Sequence, residues 1–378
     1  MSTAEEETEI VQDIIEEVKP KRKWKRIVLW STFCLFIVGV MLYTMLNDFV
    51  GKSVDISHVR GHLEKNWWWL LIAVISIIAC FVSRSWVHAV MMTVFTGKPR
   101  FRQSLAVTTI GHFYDNVLPL GTGSQPFQIH YLQDKNLPKG AAITMPVMEF
   151  VLARTVFVVI SVVAIIMYSL NLFGNNIILN TGILIISVVG ITLNLALPSL
   201  LLISLVSKRG CRKVTRWVVI LAKLFKLTKD PVKLYKSIMS SLNANIECMK
   251  MIGKNKRMLL CILFSFGQNL AHASIAYFVI KAFGYVGAGE AYGFGWVEIV
   301  IISILIKNSV AIIPTPGNSG AADLSFYWVF ESAIPSSGAL ATLFWRIISY
   351  YGPIVCGLIL TVTIATRKRR SKNERQEV

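Results

Sequence analysis

Eight charged residues interrupt otherwise apolar stretches: Arg84, Arg154, Lys307 and Arg346, with Asp115, Glu149, Glu298 and Asp323. Each would cost about 2.5–3.5 kcal/mol or more if it faced lipid at mid-depth, so all are expected to face an interior. Two readings stand. They are structural ion pairs, as Glu149 and Arg154 would be at five residues apart on one helix, or they are ligand and proton sites. Arg84 and Arg346 suit a lipid phosphate best. Each lies deep in an apolar run beside a Gly/Pro break, and guanidinium can grip phosphate with two parallel bonds. Asp115 and Asp323 lie within a few residues of the breaks and are the candidates to carry a proton.

The breaks are Leu118-Pro119-Leu120-Gly121-Thr122-Gly123-Ser124-Gln125-Pro126 and Pro314-Thr315-Pro316-Gly317-Asn318-Ser319-Gly320. A helix broken at membrane depth leaves free N–H and C=O groups, which are tolerated only against protein or a wet cavity. The half-helix that starts after a break aims its positive end at the gap and suits an anion. Gly121, Gly123, Gly317 and Gly320 let a head group approach the backbone, and Ser124, Gln125, Thr315 and Asn318 add neutral hydrogen-bonding groups. This is chemistry for holding a phosphate or sugar weakly. The first break lacks the Gly-Lys-Ser/Thr ending of a nucleotide loop. No nucleophile stands with a base, and the six histidines and six cysteines show no metal or redox spacing. No catalytic residue, metal or cofactor is therefore expected. His112, three before Asp115, reads as packed or cavity-lining.

The elements that must position these residues are membrane helices. Of 378 residues, 54% are apolar and 16% charged, against about 25% charged in soluble domains. Lys and Arg outnumber Asp and Glu by 39 to 21. Such an excess can mean nucleic acid, but the apolar remainder points to basic cytoplasmic loops and no nucleic acid partner. Residues 27–46, 67–95, 140–170, 176–207, 258–283 and 337–365 are long and apolar enough to span, a crossing needing about 20 residues. Residues 103–136 and 293–334 contain the breaks and are too polar for two spans each; a helix pair that dips in and returns fits. The expected fold is all-α integral membrane, with about six full spans and two re-entrant helix pairs. Residues 1–26 form a cytoplasmic tail, 27–365 the membrane domain, and 366–378 a basic cytoplasmic tail. Residues 208–257 are a basic insertion with 14 Lys or Arg against two acids, either a helix on the inner leaflet or a solvated linker.

Charge sets the orientation. With both termini in the cytoplasm, 31 Lys or Arg lie inside and four outside, the bias that inner loops carry. Residues 67–170 then read span, re-entrant pair, span, and residues 258–365 repeat this with opposite topology. Inverted repeats with paired Pro/Gly breaks point to a transport site near the midplane. The competing explanation is two coincidental Pro/Gly loops, since membrane helices tolerate both residues.

At these motifs a resemblance enters. Asn116–Gln128 with Met148-Glu149-Phe150, and Pro314–Gly320 with Asp323, resemble the flippase-like lysylphosphatidylglycerol synthase transmembrane region, over roughly residues 25–368. Where that family's second motif usually reads Pro-Thr-Pro-Gly-Gly-x-Gly followed by Glu, Asn318 and Asp323 stand here, keeping polarity and carboxylate with a shorter reach. The resemblance implies two inverted helical halves in a bacterial-type plasma membrane. Its best-understood members, the multiple peptide resistance factors, attach lysine to phosphatidylglycerol with a separate cytoplasmic domain and move the product outward. That domain has no room here, so lysine transfer by this chain is not expected.

The leading expectation is a flippase or scramblase for a phospholipid, an aminoacyl-phospholipid or a lipid-linked sugar. The alternatives are the membrane component of a phosphatidylglycerol lysyltransferase, which serves cationic peptide resistance, or a small-solute or proton symporter. The expected partners are membrane lipids, with a separate lipid synthase or glycosyltransferase as a further candidate.

Overall fold

A computed structural model describes residues 56–118, 123–135, 137–170, 181–206, 242–283, 295–313, 315, 317–334 and 337–374. The expected span 27–46, the tail 1–26, Gly121 and the first part of the basic insertion lie outside the described residues. Every described element is helical. In chain order they are α1 (Ile56–Asn66), α2 (Trp68–Thr96), α3 (Phe101–Val117), α4 (Gln125–Gln133), α5 (Lys139–Ser169) and α6 (Thr181–Val206). Then come α7 (Leu242–Gly253), α8 (Met258–Ala282), α9 (Trp296–Ser309), α10 (Ala321–Ala333), α11 (Gly338–Arg346) and α12 (Gly352–Glu374). A π-type turn, Ile347–Tyr351, joins α11 to α12 without a break in the helix path.

Four of these helical paths are long and apolar enough to cross a membrane: Trp68–Thr96, Lys139–Ser169, Met258–Ala282 and Gly338–Ile364. Leu184–Ala196 in α6 is a shorter apolar run. The sequence dictates how α2 sits. Ala73, Ile77, Cys80, Arg84, His88 and Met91 recur every three or four residues and are buried, so they form one inward face. Leu71, Ile75, Ile78 and Val82 recur in the same way on the opposite face and are exposed. Large apolar residues are likewise exposed along α5, α6, α8 and α12. A water-soluble protein rarely shows so continuous an apolar exterior; a hydrocarbon surround accounts for it. Polarity is inverted accordingly, with Arg84 and His88 inside and isoleucine outside.

Local signals end the helices where expected. Gly97 closes α2 in the left-handed conformation, its N–H bonded to the Thr93 carbonyl at 3.0 Å. Pro126 stands at the start of α4, where a missing N–H costs nothing. Pro138 precedes α5, which also carries Pro146 within it.

Each of the two expected broken segments holds two separate α-helices: α3 with α4, and α9 with α10, where a 3-10 turn, Val310–Ile312, follows α9. At 1.5 Å per residue, α4 is about 14 Å long and α10 about 20 Å, both shorter than a hydrocarbon core of about 30 Å. α2 packs most extensively against α8. α3 packs on α2 and α12, while α9 is seated against α5, α6 and α8. One apolar cluster gathers residues of α2, α5, α8, α9, α10 and α11. A smaller one joins α2, α3, α4, α5, α7 and α8. A cavity lies between these helices.

Candidate functional site

The cavity has a volume of about 410 Å³ and is lined from both broken segments and from the long helices around them. Its apolar wall includes Phe157, Phe326 and Trp345. Into this space project all four intramembrane cations, Arg84, Arg154, Lys307 and Arg346, with Asp115 and Glu149. The volume falls in the range of about 300–1,000 Å³ usual for small-molecule sites.

Arg84, on the inward face of α2, is held from two sides. Its Nε donates to Glu149 Oε1 at 2.9 Å and its Nη2 to Glu149 Oε2 at 3.1 Å, a fork on a carboxylate of α5. Its Nη1 and Nη2 reach Asp115 Oδ2 at 3.3 and 3.4 Å. Asp115 stands near the end of α3, and its Oδ1 accepts the backbone N–H of Ser124 at 3.3 Å. The free end of α4 is thus met by an acid of the chain itself. His88, fully buried one turn below Arg84, has Nε2 4.0 Å from Glu149.

The second break is built on the same logic. Gly317 and Asn318 take positive φ of 56° and 54° in succession, and Gly320 takes 86°. The Gly320 N–H donates to Asp323 Oδ2 at 2.8 Å, so Asp323 caps its own helix, α10. The other oxygen of Asp323 accepts from Arg346 Nε. Arg346 ends α11 at the π-type turn and lies over the rings of Trp345 and Tyr350, at 4.9 and 5.0 Å. Such turns recur at functional sites because they re-aim the side chains beside them.

Tyr350 joins the two breaks. Its hydroxyl donates to the Asn116 carbonyl, at the edge of the first break, at 3.2 Å. Its ring lies so close to Gly317 that an added Cβ there would fall 2.1 Å from a ring carbon.

The remaining two cations have a different setting. Arg154 Nη1 donates to Asn194 Oδ1 on α6 at 2.7 Å. Asn194 Nδ2 donates in turn to Asn308 Oδ1 at 3.2 Å, and Asn308 Nδ2 to Ser161 Oγ at 2.8 Å. This chain of amides ties α5, α6 and α9 together. Gly190 admits it, since a Cβ there would fall 1.9 Å from the Asn308 carbonyl oxygen. Lys307, next to Asn308, places Nζ 5.2 Å from the centre of the Phe157 ring.

Of the residues singled out from sequence, Arg84, Arg154, Lys307, Arg346, Asp115, Glu149, Gly317 and Asn318 come together at the cavity. Asp323 is buried beside it on Arg346. Ser124 and Thr315 are buried in the two breaks, where the Thr315 hydroxyl donates to the Ser319 carbonyl at 2.8 Å. Gly123, Gln125 and Gly320 belong to the breaks but do not line the cavity. Glu298 is elsewhere: it caps the start of α9, accepting the Gly295 N–H at 2.6 Å. His112 lines the cavity and stacks on Phe81, ring centres 4.2 Å apart. Sequence reasoning missed Asn194, Asn308 and Tyr350. An amide inside an apolar helix was the available signal for the first two.

Residues 27–357 match the family described as the lysylphosphatidylglycerol synthase TM region. The chain belongs to that family. The match takes in both breaks, all four cavity cations and every acid paired with them. With its apolar helices it makes this member of the lysylphosphatidylglycerol synthase TM region family a multi-pass membrane protein. No curated protein sequence matches the chain.

Proposed function

We propose that this protein moves the head group of an anionic or lipid-linked substrate across the bilayer while the acyl tails remain in lipid. The observation that carries this reading is the cavity: about 410 Å³ enclosed by membrane helices, with four cations facing three acids, Asp115, Glu149 and Asp323. A surplus of positive charge in a low-dielectric space favours an anion. Rigid charge pairs and half-helix ends around it supply a polar path that hydrocarbon cannot.

In this reading the pairs α3–α4 and α9–α10 are re-entrant, six helices span, and the halves 67–170 and 258–365 are inverted repeats. The short lengths of α4 and α10 support it. So does the position of Tyr350, which touches one break and bonds beside the other. Both termini face the cytoplasm of a plasma membrane; the excess of Lys and Arg on the inner segments supports the orientation.

The test is reconstitution in liposomes with fluorescent phosphatidylglycerol, its lysyl form, phosphatidylcholine and a polyprenyl-phosphate sugar. A membrane-impermeant quencher reads the inner leaflet. Protein-dependent loss of inner-leaflet protection is expected for at least one anionic or lysylated lipid. No movement of any lipid, while a control scramblase works, overturns the reading.

The family match favours one second reading, a membrane component for lysylphosphatidylglycerol synthesis. Under it, lipid moves or lysine is transferred only when a separate synthase is supplied. Adding such a synthase to inactive vesicles distinguishes the two.

A further inference from the structure

Arg346 uses one edge of its guanidinium within the protein and leaves another unused. Its Nε donates to Asp323, while Nη2 is buried without a hydrogen-bond partner. The side chain is 7% exposed and lies against the rings of Trp345 and Tyr350, which fix its direction. Four neutral atoms in residues lining the same cavity are also buried and unpartnered: His112 Nε2, Gln268 Oε1, Ser303 Oγ and Asn318 Oδ1. A buried polar group without a partner costs about 1–3 kcal/mol, and more when charged. Five such atoms in the wall of one cavity call for a ligand that bonds them.

The packing brings these groups to one region. Asn318 follows Gly317, which lies against the Tyr350 ring, so Asn318 and Arg346 stand beside the same tyrosine. The Asn318 N–H donates to the Thr315 carbonyl and its C=O accepts from Ala322, at 3.1 Å each, which leaves the side-chain oxygen for another partner. Gln268 stands one turn before His272 on the cavity face of α8, and α8 packs against α11 and the π-type turn. Ser303 lies on α9, which also packs against α8.

The chemistry of the set selects the ligand. Arg346 Nη2 is a cationic donor and suits a phosphate oxygen. The other four atoms belong to two amides, a hydroxyl and an imidazole, groups that can present a donor or an acceptor. A ligand hydroxyl answers either, because it both donates and accepts. Choline has no hydrogen to donate. Lysyl ammonium groups only donate, and here they would meet four cations against three acids.

We infer that the cavity reads a hydroxyl-bearing phosphate head group, of the glycerol or sugar class, with Arg346 Nη2 on the phosphate and the amides of Asn318 and Gln268 on the hydroxyls. Ser303 and His112 extend the wall that reads hydroxyls. Arg346 thus holds Asp323 with one edge and the substrate with another. This rests on the head-group reading above and names its substrate class. The shared ligand chemistry is a hydroxylated phosphate, whether carried by a lipid or free as glycerol phosphate.

Binding separates this inference from transport. The full chain in detergent is titrated with phosphatidylglycerol, its lysyl form, phosphatidylcholine and free glycerol phosphate, and retained ligand is read by native mass spectrometry. With two hydroxyl bonds at work, wild type is expected to favour phosphatidylglycerol about tenfold or more over the other two lipids. Asn318→Gly suits the positive φ and removes the amide, and Gln268→Met keeps the side-chain length. Each loses one neutral hydrogen bond, so each is expected to weaken phosphatidylglycerol about three- to tenfold and leave phosphatidylcholine unchanged. Arg346→Lys keeps a cation for Asp323 but gives up the second edge, and is expected to weaken both lipids. Equal retention of all three lipids by wild type overturns the inference. So does unchanged discrimination in the folded Asn318 and Gln268 variants. Retention of the lysyl form as tight as phosphatidylglycerol overturns the exclusion of ammonium, and wild-type retention in Arg346→Lys overturns the phosphate contact. Binding of glycerol phosphate that depends on Asn318, with no lipid retained, supports the subsite and overturns the lipid reading. Selective binding of phosphatidylglycerol that wild type never moves in liposomes overturns transport alone.

Discussion

Arg84 on α2 and Glu149 on α5, 65 residues apart in the chain, meet through two parallel bonds of 2.9 and 3.1 Å. Their side chains are 7% and 2% exposed, so neither charge has water to fall back on. Removing Arg84 leaves Glu149 buried and uncompensated, at a cost of about 3–5 kcal/mol, whereas removing Glu149 leaves Arg84 with Asp115 alone. Arg84→Met and Glu149→Met are each expected to lower the thermal midpoint in detergent by several degrees. The double variant Arg84→Met/Glu149→Met is expected to recover part of the loss, since an apolar pair can replace a buried ion pair. Equal and additive losses would show that the fork does not couple the two helices.

The exterior makes a separate prediction. Ile75 and Ile78 lie on the exposed face of α2, whereas Ala73 and Ile77 lie on its buried face. Single-cysteine variants at 75 and 78 carrying a spin label are expected to be broadened by a lipid-soluble relaxation agent, and labels at 73 and 77 are not. Broadening of 75 and 78 by a water-soluble agent would contradict a lipid-facing stripe.

Orientation is testable with impermeant thiol reagents on cells. A cysteine placed at Lys98 is expected to be protected, and one at Lys281 to react. The reverse pattern would invert the assignment based on 31 inner and four outer basic residues.

The amide relay predicts a steric effect. A methyl at Gly190 would fall 1.9 Å from the Asn308 carbonyl oxygen, a backbone atom that can yield only if α6 and α9 separate. Gly190→Ala is expected to lower stability by about 1–3 kcal/mol, as overpacking does. Asn308→Ala is expected to do the same by removing one of the two acceptors of the Asn194 amide, the Gly190 carbonyl being the other. A thermal midpoint unchanged in both variants would show that the relay is not a contact that orders the bundle.

How much of this was legible beforehand differs by element. The four long helical paths begin and end within about two residues of the apolar runs at 67–95, 140–170, 258–283 and 337–365. Lipid selects for uninterrupted apolar length, and that property is local in sequence. The breaks were equally plain, because Pro and Gly act on their own backbone. Pairing was not legible. Glu149 and Arg154 share a helix, yet the carboxylate turns to Arg84, since positions five apart on a helix do not face each other. Tyr350 and Asn116 are 234 residues apart, and nothing in either local sequence signals the bond. Partner choice depends on helix packing, and packing is a property of the whole chain.

Tyr350 gives the sharpest test of whether the two breaks act together. Its hydroxyl bonds the Asn116 carbonyl beside the first break, and its ring covers Gly317 in the second. Tyr350→Phe removes the bond and keeps the ring, at a cost in stability of about 1 kcal/mol. Gly317→Ala keeps the bond but places a methyl 2.1 Å from the ring at a position whose φ of +56° already disfavours a side chain. If transport needs both breaks held in one register, the two variants are expected to slow lipid movement severalfold while binding of phosphatidylglycerol persists. Each reaches the register by a different route, so their effects are expected to be less than additive when combined. Transport at the wild-type rate in both variants would mean that the breaks work independently and that Tyr350 only fills space.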